Sequence, residues 1–275
     1  MILKLLKNEL KESYQMPLVT YAILLFLGML TPILYEMDAD NLSIIGIVLF
    51  VIFSIPFAVV TIVTIAQRFG KNLFGNEGYL MFTLPVKTYK LVLSKILCAV
   101  FWCVCSVVVY ALAWLLLLLL SSVTAGLSLQ MLFAEIRDYI NFASGMNAAQ
   151  SINLMIIILI VCFVEIVSLI QLLYFVRTVM NVGFIQKFKG LSGVATFFIV
   201  STITSLVIRT SKEFMPLSVT ITQAGMKFGN ANHIEFDFNP RYVSVPINDV
   251  LVYAFMFFVL FFLTTALLKK HLAMK

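Results

Sequence analysis

The sequence predicts an all-α integral membrane protein with six transmembrane helices and both termini in the cytoplasm. Three observations carry this. Six apolar stretches are each close to or above the ~20 residues that a spanning helix needs. The hydrophobic fraction is 62% and the charged fraction only 12%, against about 25% charged in a soluble domain. The basic residues gather between the stretches on alternate sides. Runs such as Leu115–Leu120 lack period-two alternation, so a membrane β-barrel is excluded and helix is the remaining spanning structure.

The chain opens with MILKLLKNELKESY. Ile2, Leu3, Leu5, Leu6 and Leu10 share one face at helical spacing, while Lys4, Lys7, Asn8 and Lys11 take the other. The pattern is that of an interfacial helix on the cytoplasmic leaflet, its lysines near the lipid headgroups. It serves either as a basic flank that sets topology or as a lever touching a cytoplasmic partner. The spans follow at about 17–35, 42–66, 91–120, 151–176, 191–209 and 249–268. The third is longest and is expected to tilt or to project into the cytoplasm. Gly28, Pro32, Gly46 and Pro56 fall within the first two spans, where membrane helices tolerate them as kinks.

Between the second and third spans runs QRFGKNLFGNEGYLMFTLPVKTYKLVLSK, residues 67–95. Gly70, Gly75 and Gly78 end the helix leaving the membrane, and Glu77 suits the dipole of a new helix start. Tyr79, Leu80, Met81, Phe82 and Leu84 then form an apolar cluster closed by Pro85. An apolar patch held between charged flanks in a cytosolic connection is a docking surface. The alternative is a segment folded back under the bundle. Outside, Leu132, Phe133, Ile136, Tyr139, Ile140 and Ala143 recur at helical spacing and predict a short helix on the outer leaflet. The longest outer loop, about 210–248, carries alternating β-branched stretches punctuated by Gly225, Gly229, Pro240 and Pro246, which predicts a small β element. The whole of 1–275 is read as one transmembrane domain.

Charge orients the spans. Lys4, Lys7 and Lys11 precede the first, and Arg68, Lys71, Lys87, Lys90 and Lys95 surround the second-to-third connection. Arg177, Lys187 and Lys189 lie between the fourth and fifth, and Lys269, Lys270 and Lys275 follow the sixth. Fourteen of the 19 basic residues thus fall on one side, which the positive-inside rule makes cytoplasmic. The net charge of +6 reflects this orientation. No basic cluster accompanies a soluble module, so nucleic acid is not an expected partner. The first apolar stretch is too long for a cleavable signal peptide. Cys98, Cys103, Cys105 and Cys162 all lie within spans, where cysteine is a small apolar residue rather than a disulfide partner or metal ligand.

The signatures of an enzyme are missing. The chain has no GxxxxGK[ST] phosphate loop, no HExxH, no GxSxG and no CxxC, and its two histidines, His233 and His271, sit on opposite sides of the membrane. No catalytic residue, metal or resident cofactor is expected. One ionisable residue does lie at depth. Glu165 is near the middle of the fourth span, and Ser168 and Gln171 extend it into a partly polar stripe. An acid there is costly unless paired, hydrated or protonated. Glu165 and Gln171 are therefore candidates for a translocation pathway or a subunit interface, the alternative being a protonated acid bonded within the bundle.

Six spans, an interfacial N-terminal helix and a cytoplasmic loop after span two resemble the membrane subunit of a type 2 ABC exporter, of the small Firmicute-type bacterial permeases. The local match is NLFGNEGYLMFTLPVKTYKLVLSK, residues 72–95, which looks like the E-G-Y-L-x-x-T-L-P-V-…-S-K stretch of such permeases. Carried over, the family positions are Glu77, Gly78, Tyr79, Leu80, Thr83, Leu84, Pro85, Ser94 and Lys95. The resemblance implies that the loop at 67–90 meets a separate ATPase subunit, which binds ATP and magnesium, and that a second permease subunit completes the pore. It further implies a bacterial plasma-membrane location and a drug, peptide, bacteriocin or lipid substrate. In the long polar outer loop the chain departs from the family. Two other functions stay open. A self-contained secondary transporter would use Glu165 as its proton site. A membrane sensor or immunity protein would act through the 210–248 loop.

Overall fold

The computed structural model describes residues 2–36, 40–74, 87–124, 130–131, 134, 148–181, 189–214, 216–222, 225–230, 237–239 and 242–273. These residues are mostly helical. The helices are α1 (Ile2–Ser13), α2 (Gln15–Glu36), α3 (Asp40–Phe74), α4 (Thr88–Thr124), α5 (Ala148–Met180), α6 (Lys189–Phe214) and α7 (Ile247–Ala273). Four strands lie between the last two: β1 (Leu217–Thr222), β2 (Gly225–Asn230), β3 (Asp237–Asn239) and β4 (Tyr242–Pro246). The chain forms two compact units, Met1–Phe133 and Ala134–Lys275.

All helices from α2 to α7 are long and apolar enough to cross a membrane, over Gln15–Pro32, Val48–Gly70, Thr88–Leu120, Asn153–Met180, Gly190–Phe214 and Ile247–Lys270. No more than 28% of any of these stretches is buried. Their apolar side chains therefore face outward, as they must when the surroundings are lipid rather than water. The chain is a multi-pass membrane protein. At 37 residues α4 is longest, about 55 Å at 1.5 Å per residue, well beyond a hydrocarbon core of about 30 Å.

In the first unit α2 packs on both α3 and α4. Its core joins Leu24, Phe50 and Ala113. The ring of Phe50 meets Trp114 edge-on at 5.3 Å between centroids. A Cβ on Gly28 would stand 3.0 Å from the Ala113 carbonyl oxygen, so the absence of a side chain lets α2 and α4 approach closely. Small residues serve this purpose where lipid supplies no hydrophobic drive between helices. Pro32 lies within α2 and cannot donate to the carbonyl four residues earlier. The Thr31 hydroxyl donates to that Gly28 carbonyl at 3.3 Å instead, which is why a proline is tolerated here.

In the second unit α5 packs on α6 and α7, and α6 on α7. The strands form one antiparallel sheet in the order β2-β1-β4-β3. Val219 pairs with Val245 and Ile221 with Val243 across β1 and β4. Val219, Ile221 and Val245 are buried together with Leu154 of α5, with Ile157, Ile158, Val161 and Ile247 around them. The sheet is thus seated on the helices rather than held away from them. Asn248 makes the joint. Its side-chain oxygen accepts from the Leu217 backbone N–H at 3.1 Å, and its amide donates to the Ser211 carbonyl at 3.0 Å. Nearby, the Lys212 ammonium lies 3.1 Å from one oxygen of Asp249 and 3.2 Å from the other. Asp249 also stands in the first turn of α7, where a carboxylate is favoured by the helix dipole.

Candidate functional site

Two polar constellations stand out among the described residues, one in each unit. The first joins α1 to the beginning of α4. Lys95 is 3% exposed, and its ammonium lies 2.6 Å from a carboxylate oxygen of Glu9, which is 13% exposed. Such a charge-assisted bond away from water is strong, and breaking it by removing one partner is costly. One turn on, the buried Ser13 hydroxyl donates to the Glu9 carbonyl, accepts from the Trp102 indole N–H at 3.0 Å and touches the Cys98 sulfur at 3.5 Å. Arg68 of α3 donates to the Glu12 carbonyl at 2.9 Å. The Tyr21 hydroxyl reaches the Trp102 carbonyl at 3.1 Å and Ser106 at 2.9 Å. A cavity of about 30 Å³, room for about one water, lies beside Ser13, Thr20, Thr64 and Arg68.

This arrangement explains the faces of α1. Lys4, Lys7 and Lys11 are exposed, while Leu5, Leu6, Glu9 and Leu10 are half-buried and Ser13 is buried. The inward face therefore packs on α4 and carries a charge of its own. Glu9 falls in register with the apolar positions Leu5, Leu6 and Leu10. A carboxylate on an apolar face calls for a buried cation, and that signal points to Lys95.

Between α3 and α4, the sequence-derived docking residues Glu77, Gly78, Tyr79, Leu80, Phe82, Leu84 and Pro85 lie outside the described residues. So does almost all of the amphipathic stretch at 132–143. The flanks of the docking segment are described. Phe69 and Leu73 at the end of α3 are buried, as are Leu91, Val92, Ser94, Lys95 and Ile96 at the start of α4. Both flanking helix ends are thus packed.

The second constellation lies among α5, α6 and α7. A cavity of about 380 Å³ is lined by Glu165 and Ser168 of α5, Ser201, Thr204 and Ser205 of α6, and Tyr253 of α7. Leu169, Phe197 and Met256 supply apolar walls. Glu165 is exposed rather than sealed in the bundle. No hydrogen bond or ion pair reaches it from the described residues. The hydroxyls around it are differently placed. Ser168 donates to the Tyr253 carbonyl at 2.6 Å, Thr204 to the Val200 carbonyl at 2.9 Å and Ser205 to the Ser201 carbonyl at 3.0 Å.

Gln171 parts company with Glu165. It is fully buried, and its amide donates to the Thr264 hydroxyl of α7 at 3.0 Å. Thr264 passes its own proton to the Leu260 carbonyl at 2.6 Å. Gln171 ties α5 to α7 and does not line the cavity. The polar stripe at 165, 168 and 171 therefore divides between a cavity wall and a helix joint. The sequence reading passes over Ser201, Thr204 and Ser205 of α6, whose signal is a polar run at helical spacing in an apolar span. Tyr253 carried no such signal, because a tyrosine in a membrane helix most often only packs. The chain matches no family model, no curated protein and no solved structure.

Proposed function

We propose that this chain is the membrane subunit of an ATP-driven ABC exporter in a bacterial plasma membrane, with both termini in the cytoplasm and the β-sheet on the outer side. It performs no hydrolysis itself. ATP and magnesium belong to a separate ATPase subunit, and a second permease subunit, identical or homologous, completes the transporter. The substrate is a drug, a peptide or bacteriocin, or a lipid.

The observation that best supports this reading is the clamp between α1 and α4. A permease without a nucleotide site has to receive work mechanically. The segment centred on Tyr79–Leu84 leads directly into α4, and within two turns of the α4 start Lys95 is locked to Glu9. A push on that segment is thus delivered to α4 and α1 together rather than dissipated at a loose helix end. The basic residues Lys4, Lys7 and Lys11 remain exposed on the outward face of α1, available to lipid headgroups.

The test is an uncoupling variant. Tyr79→Asp or Phe82→Asp places a charge in the apolar docking cluster. The subunit should still insert and dimerise, while its ATPase dissociates or hydrolyses ATP without export. Normal coupled export by both variants would remove the docking assignment.

A second reading, a self-contained secondary transporter, draws support from Glu165 in its cavity. It requires that Glu165→Gln abolish ion-coupled uptake or export by the chain alone. Undiminished transport by that variant would eliminate it.

A further inference from the structure

The cavity among α5, α6 and α7 differs from an ordinary gap between membrane helices in the kind of polar groups it presents. Glu165 is the charged residue among those lining it. Asp249, one turn before Tyr253 on α7, already has its cation in Lys212. Arg177 is three turns beyond Glu165 on the same helix, roughly 18 Å away at 1.5 Å per residue. Glu165 thus has an acceptor surface and no counter-charge among the described residues.

The hydroxyls reinforce this bias. Ser168, Thr204 and Ser205 each give their proton to a helix carbonyl. What they turn toward the cavity is lone-pair density, because a hydroxyl has one proton to donate and two lone pairs to accept with. Glu165 and these three hydroxyls thus offer acceptors, the Ser201 and Tyr253 hydroxyls can donate or accept, and a ligand that brings donors meets the charge and most of the polar groups. The remaining walls, Leu169, Phe197 and Met256, are apolar. A volume of about 380 Å³ falls within the range of small-molecule sites. Beside the cavity α6 is largely exposed, with Val194, Phe198 and Ile203 outward.

We propose that this cavity binds the cationic, hydrogen-bond-donating head of an amphiphile, an ammonium or guanidinium group on an apolar body, with Glu165 as its counter-ion. The head group comes either from a membrane lipid or from a solute dissolved in the membrane. The inference rests on the transport reading only for what then happens to the ligand, because binding needs neither ATP nor a partner.

The test uses the full chain in phosphatidylcholine nanodiscs and radiolabelled dodecylguanidinium as probe, with dodecanol as the neutral competitor of equal tail length. Saturable binding above bilayer partition is expected, and dodecanol should displace the probe poorly. Glu165→Gln should weaken binding roughly tenfold or more, the loss expected for a charge-assisted bond. Glu165→Asp, which keeps the charge, should recover much of it and so separates lost charge from misfolding. Replacing part of the phosphatidylcholine with phosphatidylethanolamine distinguishes the sources. Glu165-dependent competition identifies the lipid head group, and its absence identifies the dissolved amphiphile. Equal affinity in wild type and Glu165→Gln, equal competition by dodecanol, or no binding above partition would each overturn the proposal. Such a result with the ATPase still co-purifying would leave the exporter reading standing.

Discussion

Lys95 and Glu9 show how much one pair of side chains can decide in an apolar protein. Both are largely withdrawn from solvent and 2.6 Å apart. Lys95→Ala removes the ammonium from the Glu9 carboxylate, and breaking so buried a pair costs about 3–5 kcal/mol. A clear fall in the midpoint of thermal unfolding in detergent should report it. Replacing both at once, Glu9→Leu with Lys95→Met, removes both charges and should recover most of the loss. If the double variant were as unstable as Lys95→Ala, the pair would not be the source of the effect. Lys95 was visible in the sequence as a motif position, but its role was not. A lysine at the edge of a span reads equally well as a topology signal, and only the register of Glu9 on the inner face of α1 tells the two apart. Glu165 was visible for the opposite reason, since an acid in the middle of an apolar span is rare and costly. The sequence left open whether it was a protonated acid bonded within the bundle, and the structure places it at a cavity wall with no hydrogen bond from the described residues.

At the scale of elements, contacts between helices are made by absence as much as by presence. Gly28 admits the Ala113 carbonyl to 3.0 Å of where a Cβ would sit. Gly28→Leu should push α2 from α4 and destabilise the first unit by about 1–3 kcal/mol, seen as earlier aggregation on heating. Unchanged thermal behaviour would mean that the crossing is looser than described. The joint at Asn248 makes a second case. Asn248→Leu strips partners from the Leu217 N–H and the Ser211 carbonyl, each costing about 1–3 kcal/mol if left unsatisfied. Faster amide exchange across 217–222, with the spans unaffected, is the expected sign. Protection equal to wild type would show that other contacts hold the sheet. Helix positions were legible because apolar length is a strong signal: the span read at about 91–120 corresponds to Thr88–Leu120, and that at 249–268 to Ile247–Lys270. The strand order β2-β1-β4-β3 was not legible. Alternation marks a strand but not which neighbour it takes, and here β1 pairs with the distant β4 because both bury valines against Leu154.

For the whole molecule, the sequence declared a membrane protein through composition and span length, and the outward-facing apolar surface follows from the same cause. It was less explicit about work. An exporter subunit needs one region that receives a push and another that meets cargo. The start of α4, bound to α1 through Glu9 and Ser13, suits the first role. The acceptor-lined cavity at Glu165 suits the second. The central claim is that the push comes from a separate ATPase. The most direct measurement is affinity purification of the tagged chain from its native host in mild detergent, with mass spectrometry of what accompanies it. The account predicts a stoichiometric partner carrying a GxxxxGK[ST] phosphate loop, lost or uncoupled from export when Tyr79 is replaced by aspartate. A homogeneous chain with no such partner, still moving a solute down an ion gradient, would contradict it.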